Sequence, residues 1–428
     1  MWNFEHSSRR YAIGLWLLAC FTAGAQTSSL SWAEVRDKFQ QNNPTLRAAQ
    51  IGIEESRAQE ITAFLRPNPN LTGGLDQINF FSTQAPPSGG NPAYSPFAYA
   101  FPSGSVNYLY ERRHKRELRL ESAQKGTEIA ISQYADQERG MLFTLRAAFV
   151  QALQQKAILD LTRQSLAFYN RLLEVSNERL KAGDIASVDF KRLRLQRVQF
   201  ETDVQTAIVN LRTAKIQLLT LLNDRTPVEH FDVTGTFDFT NEIRPLEELR
   251  SLALQNRPDL KAAVQAIDKA QTDHKLAVAN GSTDPTFGVD FARNPPIPVY
   301  LGFNVSIPLR IFDRNQGEKL RTQEDIARSE RLRDAATAQV FGDVDSANAA
   351  LESNLTLLRP YKESYLKDAT EVREIVSFAY TRGGASLLDF LQAQQDYRST
   401  QLNYLNLVGS YLTAAAQVNM SVGQEVIQ

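Results

Sequence analysis

Side chains able to do covalent or metal chemistry are scarce in this chain of 428 residues. The histidines His6, His114, His230 and His274 are scattered, and Cys20 is the only cysteine. Structural zinc needs clustered Cys and His, and a disulfide framework needs paired cysteines, so both are excluded by count. One Cys, three Met and four His also leave no soft-ligand metal site. No Ser/His/Asp or metal constellation suggests a hydrolase. The expectation is a protein that is not an enzyme and needs no cofactor. Lys+Arg (47) nearly balances Asp+Glu (48), for a net charge of -1. A nucleic-acid partner is not expected, because the phosphate footprint needs clustered positive charge.

The chemistry that remains belongs to charged side chains and to glycines at turns, and long elements must carry them. Hydrophobic residues make up 43% and charged residues 22%, an ordinary folded composition. At about 150 residues per domain the length suggests two to three domains, or one elongated assembly. Arg9 and Arg10 precede an apolar run, Tyr11 to Phe21, which exits through Ala23-Gly24-Ala25. This three-part pattern is expected of an export signal cleaved after Ala25. Leu17-Leu18-Ala19-Cys20 offers a competing reading in which Cys20 is lipidated. The run is too short for a membrane helix, which needs about 20 residues, and no later segment supplies one.

The chain repeats itself. Glu34-Val35-Arg36 and Gln41-Asn42-Asn43-Pro44-Thr45-Leu46-Arg47-Ala48-Ala49 return as Glu248-Leu249-Arg250 and Gln255-Asn256-Arg257-Pro258-Asp259-Leu260-Lys261-Ala262-Ala263. Asn68-Pro69 is echoed by Asp284-Pro285, and Gly183 with Asp189-Phe190 by Gly383 with Asp389-Phe390. The period is roughly 200 residues, far beyond the 20–50 of short solenoid repeats, so a tandem duplication is expected. Each half then reads as a short helix, an alternating segment, a very long helix, a Gly turn and a second long helix. The long stretches at 113–181 and 313–381 could each reach roughly 100 Å. Pro360 is the only proline in either and predicts a local kink. Leu159, Thr162, Leu166, Tyr169, Leu173, Ser176 and Leu180 alternate steps of three and four. So do Val340, Val344, Ala347, Leu351 and Leu358, with Asn354 in one slot; Phe200, Val204, Ala207, Leu211, Ala214 and Leu218 carry the same stripe, with Leu222 a further four residues on. This is coiled-coil packing, which an ordinary helical bundle would share.

The alternating segments argue for more than a bundle. Phe287, Val289 and Phe291 alternate with Gly288, Asp290 and Ala292. Val299, Leu301, Phe303, Val305 and Ile307 alternate with Tyr300, Gly302, Asn304 and Ser306, and Asn294 to Pro298 forms the loop between. In the first half Leu71, Gly73 and Leu75 precede Val106, Tyr108 and Tyr110, across a long loop at 79–104. Such strands fit a membrane β-barrel, or a half-buried soluble sheet with the same dyad pattern. Four strands cannot close a barrel, since the smallest single-chain examples have about eight. Open edges in lipid leave backbone groups unpaired at several kcal/mol each, so several chains must pool their strands.

Three motifs carry a resemblance. They are Asn42-Asn43-Pro44-x-Leu46-x-x-Ala49 with its copy Asn256-Arg257-Pro258-x-Leu260-x-x-Ala263, the junction Ile307-Pro308-Leu309-Arg310-Ile311-Phe312-Asp313-Arg314-Asn315-Gln316-Gly317, and Gly383-Gly384-Ala385-Ser386-Leu387-Leu388-Asp389-Phe390-Leu391. In this order on a repeated chain, they resemble the TolC family of outer-membrane efflux proteins, and the junction resembles its CzcC-like heavy-metal branch. The resemblance covers essentially the whole exported chain. It implies a mainly α fold with a small β part. Three copies would form a 12-stranded membrane barrel and a hollow helical tunnel into the periplasm, in contact with outer-membrane lipid. It also implies a periplasmic adaptor (a membrane fusion protein) and an inner-membrane RND-type pump as partners, with the homotrimer as a passive duct of a Gram-negative outer membrane.

Segments follow: export signal 1–25, short helices 26–66, first β-hairpin 67–112, first helical hairpin 113–223, equatorial linker 224–245, short helices 246–282, second β-hairpin 283–312, second helical hairpin 313–423 and tail 424–428. The turns Lys181-Ala182-Gly183-Asp184 and Thr381-Arg382-Gly383-Gly384 end helices, where Gly relieves positive φ. By resemblance they are the periplasmic tips, with Arg179, Gly183, Asp184, Arg382 and Gly383 as adaptor contacts. Asp389 matches the acidic ring at the closed tunnel end, though a helix first-turn carboxylate favoured by the dipole reads equally well. The second ring position is Gln392, which implies a less negative gate. Arg112, Arg113, Lys115 and Arg116 are expected at the membrane boundary or on a solvated face. The metal branch is discounted as a guide to cargo, because substrate choice would lie in the pump. The alternative reading is a secreted coiled-coil scaffold with soluble hairpins.

Overall fold

The structure is a computed structural model that describes residues 28–81, 83–84, 91–97, 100–240, 243–294 and 297–427. The expected export signal and Cys20 lie outside these residues, as do Pro295, Pro296, Gln428 and parts of the 79–104 loop.

Strand β1 (Ser28–Leu30) leads into helix α1 (Trp32–Asn42). Ser31 Oγ accepts from Glu34 N while Glu34 Oε2 accepts from Ser31 N at 2.7 Å, which satisfies two otherwise orphaned donors. Asn43 separates α1 from α2 (Pro44–Phe64). Its Oδ1 accepts from Thr45 N and Leu46 N, and Pro44 takes the first helical position, where its missing N–H costs nothing. The Asn-Pro signature is thus a helix-to-helix joint: one helix precedes it as well as one following.

The first half continues through β2 (Asn70–Asp76), a small antiparallel pair β3 (Thr83–Gln84) and β4 (Ala93–Tyr94), and β5 (Phe101–Leu109). Phe101 to Gly104, read from the sequence as loop, belong to β5. Pro102, Ser103 and Gly104 have little strand propensity, and pairing with neighbouring strands holds them extended. Helix α3 (Lys115–Ala182) then runs unbroken for 68 residues and returns as α4 (Ser187–Leu221). A 3-10 turn at Val228–His230 precedes β6 (Phe231–Val233), which pairs in parallel with β1. Two three-residue strands carry too little periodicity to be seen in the sequence.

The second half comprises α5 (Leu246–Asn256), α6 (Pro258–Asn280), β7 (Thr286–Asn294), β8 (Ile297–Ser306), α7 (Gln316–Pro360), α8 (Leu366–Thr381) and α9 (Leu387–Val422). A π-helical turn, Tyr361–Tyr365, directly follows Pro360. The proline withholds a donor from the ladder, and the helix absorbs the defect in one wider turn. The coiled-coil stripes face the packed side, although Leu166, Leu173, Leu180 and Leu211 are only half-buried, and two slots shift: Leu172 rather than Leu173 is buried in the first stripe. In the second, Leu355 rather than Asn354 fills the slot, and Asn354 turns back to donate to Ala350 O at 2.8 Å.

The sheet order is β2-β5-β7-β8, antiparallel throughout. Beside it α2 packs on α3, α3 on α6 and α6 on α7. Further along, α4 packs on α3, α3 on α9, and α9 on α7 and α8. The chain is therefore one continuous wall. One margin is β2, α2 and α4, and the other is β8, α7 and α8. Two apolar clusters hold its waist. Val35, Phe39, Leu145, Phe149 and Leu218 form one, and Leu249, Val340, Leu351, Tyr411 and Val418 the other.

Candidate functional site: an open sheet and two helical tips

The sheet sorts its side chains by face. Leu71, Val106, Val289 and Phe303 stand opposite one another across all four strands, and Tyr108, Phe287 and Val305 form the neighbouring row. One residue out of step, Thr72, Ser105, Asp290 and Gly302 form a row, as do Asn70, Asn107, Gly288 and Asn304. Because successive strand residues point to opposite faces, one face is apolar and the other polar. The polar face is knit together, with Asn304 Nδ2 donating to Asp290 Oδ2 at 2.6 Å. Gly104 is required by the apolar face, since a Cβ there would lie 2.2 Å from Cζ of Phe291. Leu71 is 76% and Phe303 79% exposed, so nothing among the described residues covers the apolar face. A soluble sheet would bury that face and hydrate the other. This one leaves its apolar face uncovered, and among the described residues both margins, β2 and β8, are unpaired.

The passage from sheet to helix is braced by charge. Lys115 Nζ donates to Asp284 Oδ2 at 2.5 Å and to Ser282 O at 3.0 Å, and Arg112 N donates to Asp284 Oδ1. Lys115 is only 3% exposed. This corrects its expected place on a lipid-facing or solvated surface: the left-handed residues Arg113 and His114 swing the chain so that Lys115 turns inward onto Asp284. Arg112 and Arg113 are exposed, and Arg116 lies over the Phe64 ring. Arg119 forms a bidentate pair with Glu111 at 2.5 and 2.8 Å.

At the far end both long helices stop the same way. Gly183 and Gly383 have φ of 83° and 78°. Asp184 N donates to Arg179 O, and Gly384 N to Ala379 O, both at 2.8 Å. Gly183 N and Gly383 N donate to Leu180 O and Tyr380 O at 3.1 Å. Each is a left-handed cap that satisfies the orphan carbonyls. The structure brings the two turns together: Arg179 Nη1 donates to Tyr380 O at 2.8 Å, and its guanidinium lies 5.6 Å from the Tyr380 ring. Arg179 is thus partly engaged within the chain, whereas Gly183, Asp184, Arg382 and Gly383 are exposed. Arg382 rests over Phe378.

Asp389 sits in the first turn of α9. Its Oδ2 accepts from Ser386 Oγ at 2.7 Å and from Ser386 N at 3.2 Å, and Ser386 Oγ accepts from Asp389 N. The Ser386 hydroxyl and backbone N–H hold its carboxyl below the usual range. Gln392, one turn on, donates to Asp396 at 2.8 Å. In the first half Asp189 has no such partner, because Ala186 occupies the cap and offers no side-chain oxygen.

Behind the tips lies a cluster that the stripes only partly announced. Tyr169, Leu172, Leu193, Phe200, Tyr380 and Phe390 are buried together. Tyr169 stacks on Phe200 and Tyr380 on Phe390, with ring centroids 4.6 and 4.9 Å apart. Burial pushes both phenols up in pKa. Arg398 reaches across from α9 to Asp203 on α4 at 2.5 Å. The Ser386-x-x-Asp389 spacing was a legible capping signal. The pairing of residues far apart in the chain left no such mark.

An open-edged antiparallel sheet continued by long paired helices is the fold of outer-membrane channel proteins. The chain superposes on the open-state outer-membrane channel MtrE of Neisseria gonorrhoeae with a TM-score of 0.72 and 17% identity, covering 94% of this chain and 93% of that one. In sequence, residues 297–424 match the family described as Outer membrane efflux protein. The chain is 24% identical to the cobalt-zinc-cadmium resistance protein CzcC of Cupriavidus metallidurans, over 75% of this chain and 77% of that one. It is also 24% identical to the outer membrane protein TolC of Vibrio cholerae, over 95% of each. The chain is a relative of the TolC-type outer-membrane efflux proteins, as its three motifs indicated.

Proposed function

We propose that the chain is the outer-membrane duct subunit of a tripartite efflux system, a passive conduit from periplasm to exterior. The observation that carries this reading is the sheet: one face apolar and uncovered, the other polar, and both margins unpaired among the described residues. Lipid favours the first property, a water-filled lumen the second, and only strand partners from other copies satisfy the third. The helical wall has the same two open margins, with Leu195 on α4 and Phe378 on α8 among its exposed apolar side chains. Three copies joined margin to margin give a 12-stranded barrel over a tunnel of α-helices, the arrangement the family resemblance implies. A tandem duplication accounts for the matching joints at Asn43 and Arg257 and the matching turns at Gly183 and Gly383.

On this reading the hairpins at 67–112 and 283–312 supply the barrel. The helical hairpins at 113–223 and 313–423 supply the tunnel, and 224–245 belongs to its girdle. Gly183, Asp184, Arg382 and Gly383 form the adaptor-facing tips with Arg179 bracing them, and an RND-type pump in the inner membrane supplies the energy. Three copies of Asp389 converge at the narrow end and draw cations by their summed charge, while Gln392 leaves a second ring neutral. On this reading cargo selection falls to the pump, even where metal cations are carried.

Membrane fractionation and gel analysis test the assembly. A heat-sensitive oligomer that needs detergent for extraction is expected, and a water-soluble monomer would overturn the reading. Single-channel recording with and without divalent cations tests the gate. Asp389→Ala is expected to weaken cation block, and unchanged currents would remove Asp389 from the constriction.

A further inference from the structure

We propose that the waist of the wall carries a binding site for a small amphipathic monoanion, a carboxylate or sulfonate on an apolar body. A cavity of about 340 Å³ opens between α1, α3 and the end of α9. Trp32, Leu142, Phe143, Ala416 and Met420 give it an apolar wall, and Arg36, Arg139 and Arg146 stand among its lining charges. The charges are not equivalent. Arg139 is taken up by Asp136 at 2.5 Å and by the Met420 carbonyl, and Glu138 accepts from Gln40 at 2.8 Å. Arg36 has only a loose contact with Asp37 at 3.5 Å. Arg146 has no hydrogen-bond or ion-pair partner among the described residues. Its guanidinium carbon lies over the Trp32 ring, 4.5 Å from the centroid, and 5.9 Å from that of Phe149. Glu425, exposed on the cavity's edge, is the carboxylate that offsets part of the burial of Arg146.

A half-buried guanidinium with no protein acceptor among the described residues keeps its donors available to solvent or to an anion, and charge-assisted bonds to an anion are strengthened where the surroundings are partly apolar. An aromatic ring stabilises the cation face-on but leaves its edge free, and the edge is where a carboxylate binds in a bidentate fork. An apolar wall beside a free guanidinium edge fits a ligand that is anionic at one end and hydrocarbon at the other. The volume suits a single small organic acid and lies at the lower end of ordinary ligand pockets.

The site carries its own reporter. The tryptophans are Trp2, Trp16 and Trp32, so a chain beginning after Ala25 has Trp32 alone. The test is a titration of the purified oligomer in detergent with adamantane-1-carboxylate, read by Trp32 emission. The neutral adamantane-1-carboxamide is the control for partition into micelles. Saturable change with the acid, little with the amide, and binding at least about tenfold weaker in Arg146→Gln are expected. Arg36→Gln, at the more open rim, should weaken binding less, and it keeps the test valid if Arg146→Gln fails to assemble. Equal responses to acid and amide, or no response to millimolar acid, would overturn the site. The second result includes the case in which a neighbouring copy fills the cavity.

Discussion

The two helical hairpins have nearly the same length and end in the same glycine turn, yet they are secured by different means. The first is an unbroken α3 of 68 residues returning as α4, and Ala186 at the start of α4 provides no side-chain cap. The second is jointed by the π turn after Pro360, and its return helix is locked by the Ser386–Asp389 box with Phe390 fully buried behind it. Phe190, at the matching place in the first hairpin, is only half-buried. Arg179 then ties the end of the first hairpin to the Tyr380 carbonyl of the second. The glycine turn recurs in both halves. The cap, the π turn and the buried ring behind the tip do not, because Ala186 replaces Ser386, the first long helix has no proline, and each half meets different neighbours in the wall.

The contrast can be broken most severely at the tip core. Phe390→Ala removes a fully buried ring and should cost about 3–5 kcal/mol, whereas Phe190→Ala should cost clearly less. Thermal unfolding of the two purified variants checks this, and equal losses would erase the asymmetry. A smaller effect is expected at the waist, where Lys38 Nζ meets Asp224 at 2.5 Å. Burial alone would raise the Asp224 carboxyl, but Lys38 and Thr226 outweigh it and bring it down to about 2. A depressed carboxylate stabilises the fold above its unfolded value near 3.8, and that contribution is lost as pH falls through about 2. Asp224→Asn should therefore remove about 2 kcal/mol at neutral pH and flatten the acid limb of a stability profile between those two values.

Where the hairpins are alike, the response should be alike. Gly183→Ala and Gly383→Ala each force a side chain into the left-handed region and should cost about 1–2 kcal/mol, matched within error in a melting experiment. The caps return to the difference. Ser386→Ala should lose about 1 kcal/mol. It also frees the Asp389 carboxyl to titrate nearer its ordinary value, measurable as a shift of the pH at which the tip frays. Ala186→Ser, placing an oxygen where the first hairpin has none, should gain about 0.5 kcal/mol. A neutral result there would mean that the α4 start is already satisfied by other means.

Much of this architecture was readable along the chain. The period of two in Phe287 to Ala292 announced a strand with one apolar face, and the threes and fours of Phe200 to Leu222 announced a packed helix. The doubled Asn-x-Pro and Gly landmarks fixed the order of elements. These signals are strong because backbone geometry repeats them many times over. The Ser386-x-x-Asp389 box was equally local, and it shows why Asp389 has a structural role at the start of its helix.

Other features became visible only in three dimensions. Lys115 was one of several basic residues after a strand, and nothing nearby in sequence marked it as the one that turns inward onto Asp284. The position of Arg179 before a glycine turn suggests a surface contact, yet part of its hydrogen bonding goes to Tyr380. The β1–β6 pair joins segments about 200 residues apart and is too short for periodicity to register. The Trp32–Arg146 cavity is drawn from α1, α3 and α9 together. Short-range pattern dictates dihedral preference and which side of an element is apolar, so the sequence by itself settled the long helices, the glycine turns that end them and the apolar face of the strands. Which distant charge or ring meets which depends on how the wall curves and stacks. That geometry is set by the sum of many weak contacts, and only the tertiary structure decided it.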